Sequence, residues 1–185
     1  MPAVPSLTTP LTDGVVTLRT WEISDAPAMR EIFLDDEMYR WTDAIPDEPL
    51  EEFERAIRRG WARGERGDRA CFALIGPEGE VVGAIDLMFA EFERTEIGYA
   101  IARQARGNGY ATRAVRILTD WAFSATSAER IELPIPVGNV RSRAVAERAD
   151  YAFEGVMRSY LVLRDGGERQ DVTMYARVRA DGPLA

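Results

Sequence analysis

Arg106-Gly107-Asn108-Gly109-Tyr110-Ala111 is the segment whose residue types and spacing say most about chemistry. Upstream, residues 95–102 read as a strand. Downstream, Ala111, Ala114, Val115, Leu118, Trp121 and Ala122 recur at helical spacing and make one apolar face. Strand, glycine-rich turn and helix in that order gather backbone N–H groups and a helix N-terminus at one spot. First-turn amides have no partner within the helix, and the helix dipole is positive there, so such a spot binds anions. Gly107 and Gly109 let a diphosphate approach the main chain with no Cβ in the way. The expected ligand is a phosphorylated cofactor, although a plain helix-start turn uses the same letters.

What the loop lacks narrows the ligand. A nucleotide P-loop needs a Lys-Ser/Thr pair after its last glycine, where this chain has Tyr110-Ala111. A dinucleotide fingerprint needs a small third residue at Thr112 and an early place in a βαβ unit. The chain also contains no histidine, which removes Ser-His and Cys-His nucleophiles, imidazole acid–base catalysis and His-based zinc sites. Carboxylates, tyrosines, hydroxyls, backbone amides and a bound cofactor remain, and no metal is expected. A net charge of −8 argues against nucleic acid as a partner and favours cationic ones.

The elements that must position this loop fit one domain. At 185 residues the chain is long enough to bury a core. No apolar run approaches ~18 residues, so no membrane partner is expected. Residues 1–12 hold three prolines and no basic or apolar stretch, and read as a loose tail rather than a signal peptide. A single domain over 13–179 and a short tail over 180–185 follow. The lone cysteine, Cys71, lies in a strand-like run and fits a buried inert thiol in a reducing, cytoplasmic setting. Strands are expected over 14–21, 71–75, 81–89, from 96, over 131–137, 155–164 and 168–177. Helices are expected over 27–36, from 47–49 to 63, after the glycine loop, and over 139–149. Gly76-Pro77-Glu78-Gly79 and Asp165-Gly166-Gly167 read as hairpin turns.

The loop reads Arg106-x-x-Gly109-x-Ala111, which resembles motif A of the GNAT superfamily of N-acetyltransferases, Gln/Arg-x-x-Gly-x-Gly/Ala. Gly138-Asn139-Val140-Arg141-Ser142 resembles the family's Asn-x-x-Ser helix, and residues 146–155 resemble its Gly-Phe-x-x-Glu-Gly ending. Together with Glu96-Ile97-Gly98-Tyr99, the pattern is similar to the RimJ/RimL branch, which acetylates N-terminal amines of ribosomal proteins and includes enzymes with other acceptors. The resemblance covers about 165 residues. Asp150-Tyr151 departs from Gly-Phe, and Asp tolerates the left-handed backbone that a glycine there implies better than most residues.

The resemblance implies an α/β (α+β) GNAT fold. Its mixed, mostly antiparallel sheet would have six to seven strands, splayed between the fourth and fifth, with about four helices around it. Pro134 and Pro136, lacking N–H groups, suit a splayed edge, as they would any edge strand. The implied co-substrate is acetyl-CoA, its pyrophosphate on Arg106, Gly107, Asn108, Gly109, Tyr110, Ala111 and Thr112, and its pantetheine along the backbone of Tyr99, Ala100 and Ile101. Asn139 would contact the cofactor and Ser142 would lie near its sulfur. Many members place a tyrosine seven residues beyond the Asn, where this chain has Ala146.

Glu96 is the leading candidate base, with Glu132 second. Tyr39 and Trp41, between the first two helices with Arg40 and Asp43, would wall the acceptor pocket. Each has a plainer reading: Ser142 as a helix-start serine, Glu96 as a solvated charge, Tyr39 and Trp41 as core. The expected reaction is direct acetyl transfer to a primary amine, of a small molecule or a protein N-terminus, by a monomer or homodimer. A larger donor such as succinyl-CoA, or a module that binds acyl-CoA without catalysis, are the alternatives.

Overall fold

The structure, a computed structural model, describes residues 9–42, 45, 47–89, 94–162 and 167–182. Asp43, Asp165 and Gly166 lie outside the described residues. Among the described residues, eight strands form one sheet in the order β1-β2-β3-β4-β5-β6-β8-β7. They are β1 (Leu11–Thr12), β2 (Thr17–Thr20), β3 (Arg69–Ile75), β4 (Val81–Phe89), β5 (Arg94–Ile101), β6 (Arg130–Pro136), β7 (Ala152–Val162) and β8 (Arg169–Val178). Five helices pack around it: α1 (Ala26–Phe33), α2 (Asp36–Trp41), α3 (Leu50–Arg66), α4 (Tyr110–Ala125) and α5 (Val140–Arg148). The expected order holds, with one strand and one helix more than foreseen. Leu11–Thr12, read as the end of the tail, pairs with β2. α2 forms where a connection was expected because Asp35 caps it, its side chain accepting from the Glu37 amide at 2.8 Å.

Local chemistry explains the helix ends. α3 carries Glu51 and Glu52 in its first turn and Arg63 and Arg66 in its last, matching the helix dipole, and stops at Gly67 with φ +79°. α4 lays Ala114, Val115, Leu118 and Ala122 on the sheet, all buried. A buried bond between the Thr119 and Tyr151 hydroxyls, 2.6 Å, ties α4 to the start of β7. Cys71 is half-buried beneath α3, and burial pushes its thiol up to about 12, so it stays protonated.

Every strand pair is antiparallel except β5 and β6, which run parallel for three rungs only, ending at Glu96↔Glu132. Beyond that rung they part. β6 continues against β8 as far as Pro136↔Val172, and the Val137 amide donates to the Asp171 carbonyl. Strand alternation then turns the nitrogens of Pro134 and Pro136 away from β8 and toward β5. Both rungs that β6 could next offer β5 therefore lack a donor.

Past α5 the chain makes a Schellman turn. Tyr151 N–H donates to the Ala146 carbonyl and Asp150 N–H to that of Glu147, with Asp150 at φ +60°. The left-handed conformation expected at this departure from Gly-Phe is present. Asp150 also accepts from Arg116 at 2.6 Å, an exposed pair worth ~0–1 kcal/mol. Asp150→Val should cost about 1–2 kcal/mol of unfolding free energy, because it loses the pair and strains the backbone. Asp150→Gly should stay within about 1 kcal/mol of the parent, and urea denaturation of the two variants checks the contrast.

Candidate active site

β5 ends at Ile101 and leads through a 3₁₀ turn, Arg103–Ala105, into the glycine loop. Gly107 and Gly109 take φ +86° and +77°, conformations costly for other residues. The space where each Cβ would stand is open. Asn108 stitches the turn, its Nδ2 donating to the Ala105 carbonyl at 3.1 Å. Gly109 caps α4 without a side chain, and the Arg113 amide donates to its carbonyl. The amides of Tyr110, Ala111 and Thr112 stand ahead of that bond at the helix end. The Thr112 hydroxyl is buried there with no hydrogen-bond partner among the described residues. A cradle of first-turn amides and an orphaned hydroxyl fits an anionic group such as a diphosphate.

The Arg106 side chain does something else. Its Nε donates to the Ile101 carbonyl at 3.0 Å, Nη1 to Glu37 at 2.9 Å, and Nη2 lies 2.5 Å from Asp35. Arg106 thus anchors the loop to α2 with its guanidinium committed. Glu37 also takes Arg141 of α5 at 2.8 Å, so one carboxylate joins α2, the loop and α5.

The loop closes one end of a cleft of about 1230 Å³. Successive residues of both facing strands, Ile97 to Ile101 and Leu133 to Pro136, line it. Successive residues point to opposite sheet faces, so the cleft passes through the sheet where β5 and β6 part. Ala102 N–H donates to Val82 of β4, which by alternation aims the backbone groups of Ile97, Tyr99 and Ile101 at the gap. Ala100 of the expected pantetheine strip therefore has its backbone on β4, and the Ile101 carbonyl is taken by Arg106. Tyr99 is the strip residue left with both backbone groups facing the gap.

Asn139 and Ser142 come together at the start of α5. Asn139 Oδ1 accepts from the Ser142 amide at 3.1 Å, which caps the helix and leaves the Asn139 NH₂ as a donor in the cleft wall. Ser142 Oγ lies 2.7 Å from the Tyr99 hydroxyl, 43 positions away in the chain. Burial pushes that phenol up to about 12, and its bond with Ser142 offsets part of the rise. Reading Tyr99 for its backbone alone missed this contact. Strand parity was the signal available, since it sets Tyr99 on the face opposite Glu96.

Glu96 is half-buried on that opposite face, beside its register partner Glu132 at the apex of the gap. It does not line the cleft itself. Glu132 is 3% exposed and its Oε1 accepts from Arg130 Nε at 2.6 Å, while Arg130 also grips Glu154. Trp41 lines the cleft and packs on Gly138, where an added Cβ would come within 3.2 Å of its ring. Tyr39 is 44% exposed and lies outside the lining, so the structure separates these two residues.

Residues 16–152 match the family model of the acetyltransferase (GNAT) domain. An uncharacterized N-acetyltransferase, p20, of Bacillus licheniformis is 27% identical across 90% of this chain and 94% of its own. The solved structure of Mycobacterium smegmatis RimJ in complex with CoA-disulfide is 26% identical, with a TM-score of 0.81 over 96% of this chain and 89% of that one. An acetyl transferase of Salmonella typhimurium that modifies the N-terminal serine of a 50S ribosomal subunit protein is 22% identical and shares the fold, with a TM-score of 0.76 over 95% and 98% of the two chains. A three-rung parallel pair that opens beside a glycine-loop helix, with the family match across most of the chain, makes this protein a member of the GNAT acetyltransferase family.

Proposed function

We propose that this protein transfers an acetyl group from acetyl-CoA directly to a primary amine, the leading acceptor being the N-terminal amine of a protein or peptide. The observation that carries the donor is the buried, unpartnered Thr112 hydroxyl beside the first-turn amides of α4, at the end of a gap with unpaired strand edges. RimJ of M. smegmatis, similar over most of its length, is solved with a CoA derivative, and the Salmonella relative acts on a protein N-terminus. Both support the reading.

The amides of Tyr110, Ala111 and Thr112, with the Thr112 hydroxyl, hold the diphosphate. The Tyr99 N–H and C=O pair with the amide-bearing arm as a strand would. When bound, the thioester supplies an acyl group already activated, so no covalent enzyme intermediate is needed. Trp41 walls the acceptor side. Glu96 takes the ammonium proton, directly or through a water. Glu132 serves less well, because at 3% exposure it is more deeply buried than the half-buried Glu96. Ser142 donates a hydrogen bond to the departing thiolate, and the Asn139 cap fixes the serine backbone. A C–N bond forms, the C–S bond breaks, and the amine's proton leaves through Glu96.

Two variants test the assignment separately. Gly109→Asp keeps a residue that tolerates φ +77° and adds a negative charge at the helix end. It should abolish acetyl-CoA binding in a calorimetric titration while the protein stays folded, and unchanged affinity would remove the cradle. Glu96→Gln should lower turnover by roughly 10²–10⁴ with cofactor affinity nearly unchanged. Near-native turnover would pass the proton to Glu132 or to water. Mass shifts across a panel of N-terminal peptides, polyamines, amino acids and aminoglycosides identify the acceptor.

A further inference from the structure

A serine hydroxyl has one proton and rotates freely, so a useful donor needs something to decide where that proton points. The Ser142 backbone is fixed by the Asn139 cap, which leaves its side chain and hydroxyl rotors open. The oxygen that settles them belongs to Tyr99. Its hydroxyl lies 2.7 Å from Ser142 Oγ and 3.4 Å from the Ser142 carbonyl. A carbonyl only accepts, and a phenol is a better donor than an aliphatic alcohol. The 2.7 Å distance allows either oxygen to donate, and the phenol's greater acidity favours Tyr99, whose one proton is then shared between the Ser142 Oγ and the carbonyl.

We infer that Tyr99 is a positioning residue: by donating to Ser142 Oγ it occupies a lone pair of the serine and frees the serine's own proton for the departing thiolate. This rests on the proposed role of Ser142. Tyr99 is not itself the proton source. Burial pushes its phenol up to about 12, well above the ~8.5 of an ordinary thiol, so handing a proton to a thiolate is uphill. The same height keeps the phenol protonated across the working pH range. Tyr99 is then a donor that never empties, and the released thiolate takes its proton from solvent. The phenol is suited to this because β5 holds it rigidly. Its ring is packed against the core, and its hydroxyl reaches the first turn of α5 at Ser142.

The test is a double-mutant cycle read for kcat, acetyl-CoA KM and melting temperature on the same preparations. Tyr99→Phe keeps the ring and removes the donor; it should lower kcat roughly 3- to 10-fold with KM within about twofold. Ser142→Ala should lower kcat roughly 10- to 100-fold. The double variant should be no slower than Ser142→Ala alone, because Tyr99 has nothing left to orient. Ser142→Thr, whose branched side chain restricts its own rotamer, should recover part of the Tyr99→Phe loss. If Ser142→Ala is slow but Tyr99→Phe is native in rate, the inference fails and the Ser142 role stands. Losses that multiply in the double variant also overturn it, since Tyr99 would then act apart from Ser142. A native rate in Ser142→Ala removes the Ser142 role, and the inference with it. If Tyr99→Phe has no melting transition, Tyr99→Met replaces it in the same cycle.

Discussion

Two neighbouring strands of this sheet stop pairing after the Glu96–Glu132 rung, and the site is built from what that leaves unsatisfied. β6 turns Pro134 and Pro136 toward β5, so it has no N–H to offer on either of the next two rungs. β5 keeps its own donors and acceptors on the gap side. An unpaired backbone group in a protein interior costs about as much as a lost hydrogen bond, so an open gap edge calls for a partner. The structure answers that need at Ile101, whose carbonyl takes Arg106, while among the described residues no strand pairs with β5 on the gap side of Tyr99. In the proposed acyl-CoA complex an extended, amide-bearing arm satisfies Tyr99 as a third strand would.

The same gap organises the charges around it. Arg106 and Arg141 both close on Glu37, and Asp35 joins Arg106, so α2, the glycine loop and α5 are tied at one corner of the cleft. The Arg141–Glu37 pair contributes little stability, with Arg141 73% exposed, while Arg106 and Asp35 are 20% and 10% exposed. Their value lies in register, since they fix where the α4 amides face relative to the start of α5. Opposing chemistries are kept on opposite faces. The carboxylates Glu96 and Glu132 stand on one face of the sheet and the hydroxyls of Tyr99 and Ser142 on the other. In the proposed reaction a proton acceptor and a thiolate partner then act at the same carbonyl without neutralising each other.

Features set by local backbone chemistry were legible in the sequence. The glycine loop, the helix that starts at Asn139 with Ser142 in its first turn, and the left-handed Asp150 each depend on residues within a turn of one another. Strand order was legible because alternation and turn residues mark it. Features set by distant partners were hidden. α2 is six residues long with no fully buried side chain, so it has no hydrophobic period to read; only Asp35 as its cap announces it. The Arg106 guanidinium looked free for a phosphate until Asp35 and Glu37 closed on it from about 70 residues upstream. Tyr99 and Ser142 meet across 43 positions, and no local pattern encodes that. Tyr39 and Trp41 share a short helix, yet one faces solvent and the other the cleft.

The central claim is that the open edge of β5 and the head of α4 form one continuous acyl-CoA site. Residue-resolved amide hydrogen exchange, with and without saturating acetyl-CoA, tests it most directly. The account predicts slowed exchange at Tyr99 together with Tyr110, Ala111 and Thr112, while Gly98 and Ala100, which face β4, keep their protection unchanged. Slowed exchange at the α4 amides with none at Tyr99 would contradict it, because the gap would then have no part in binding.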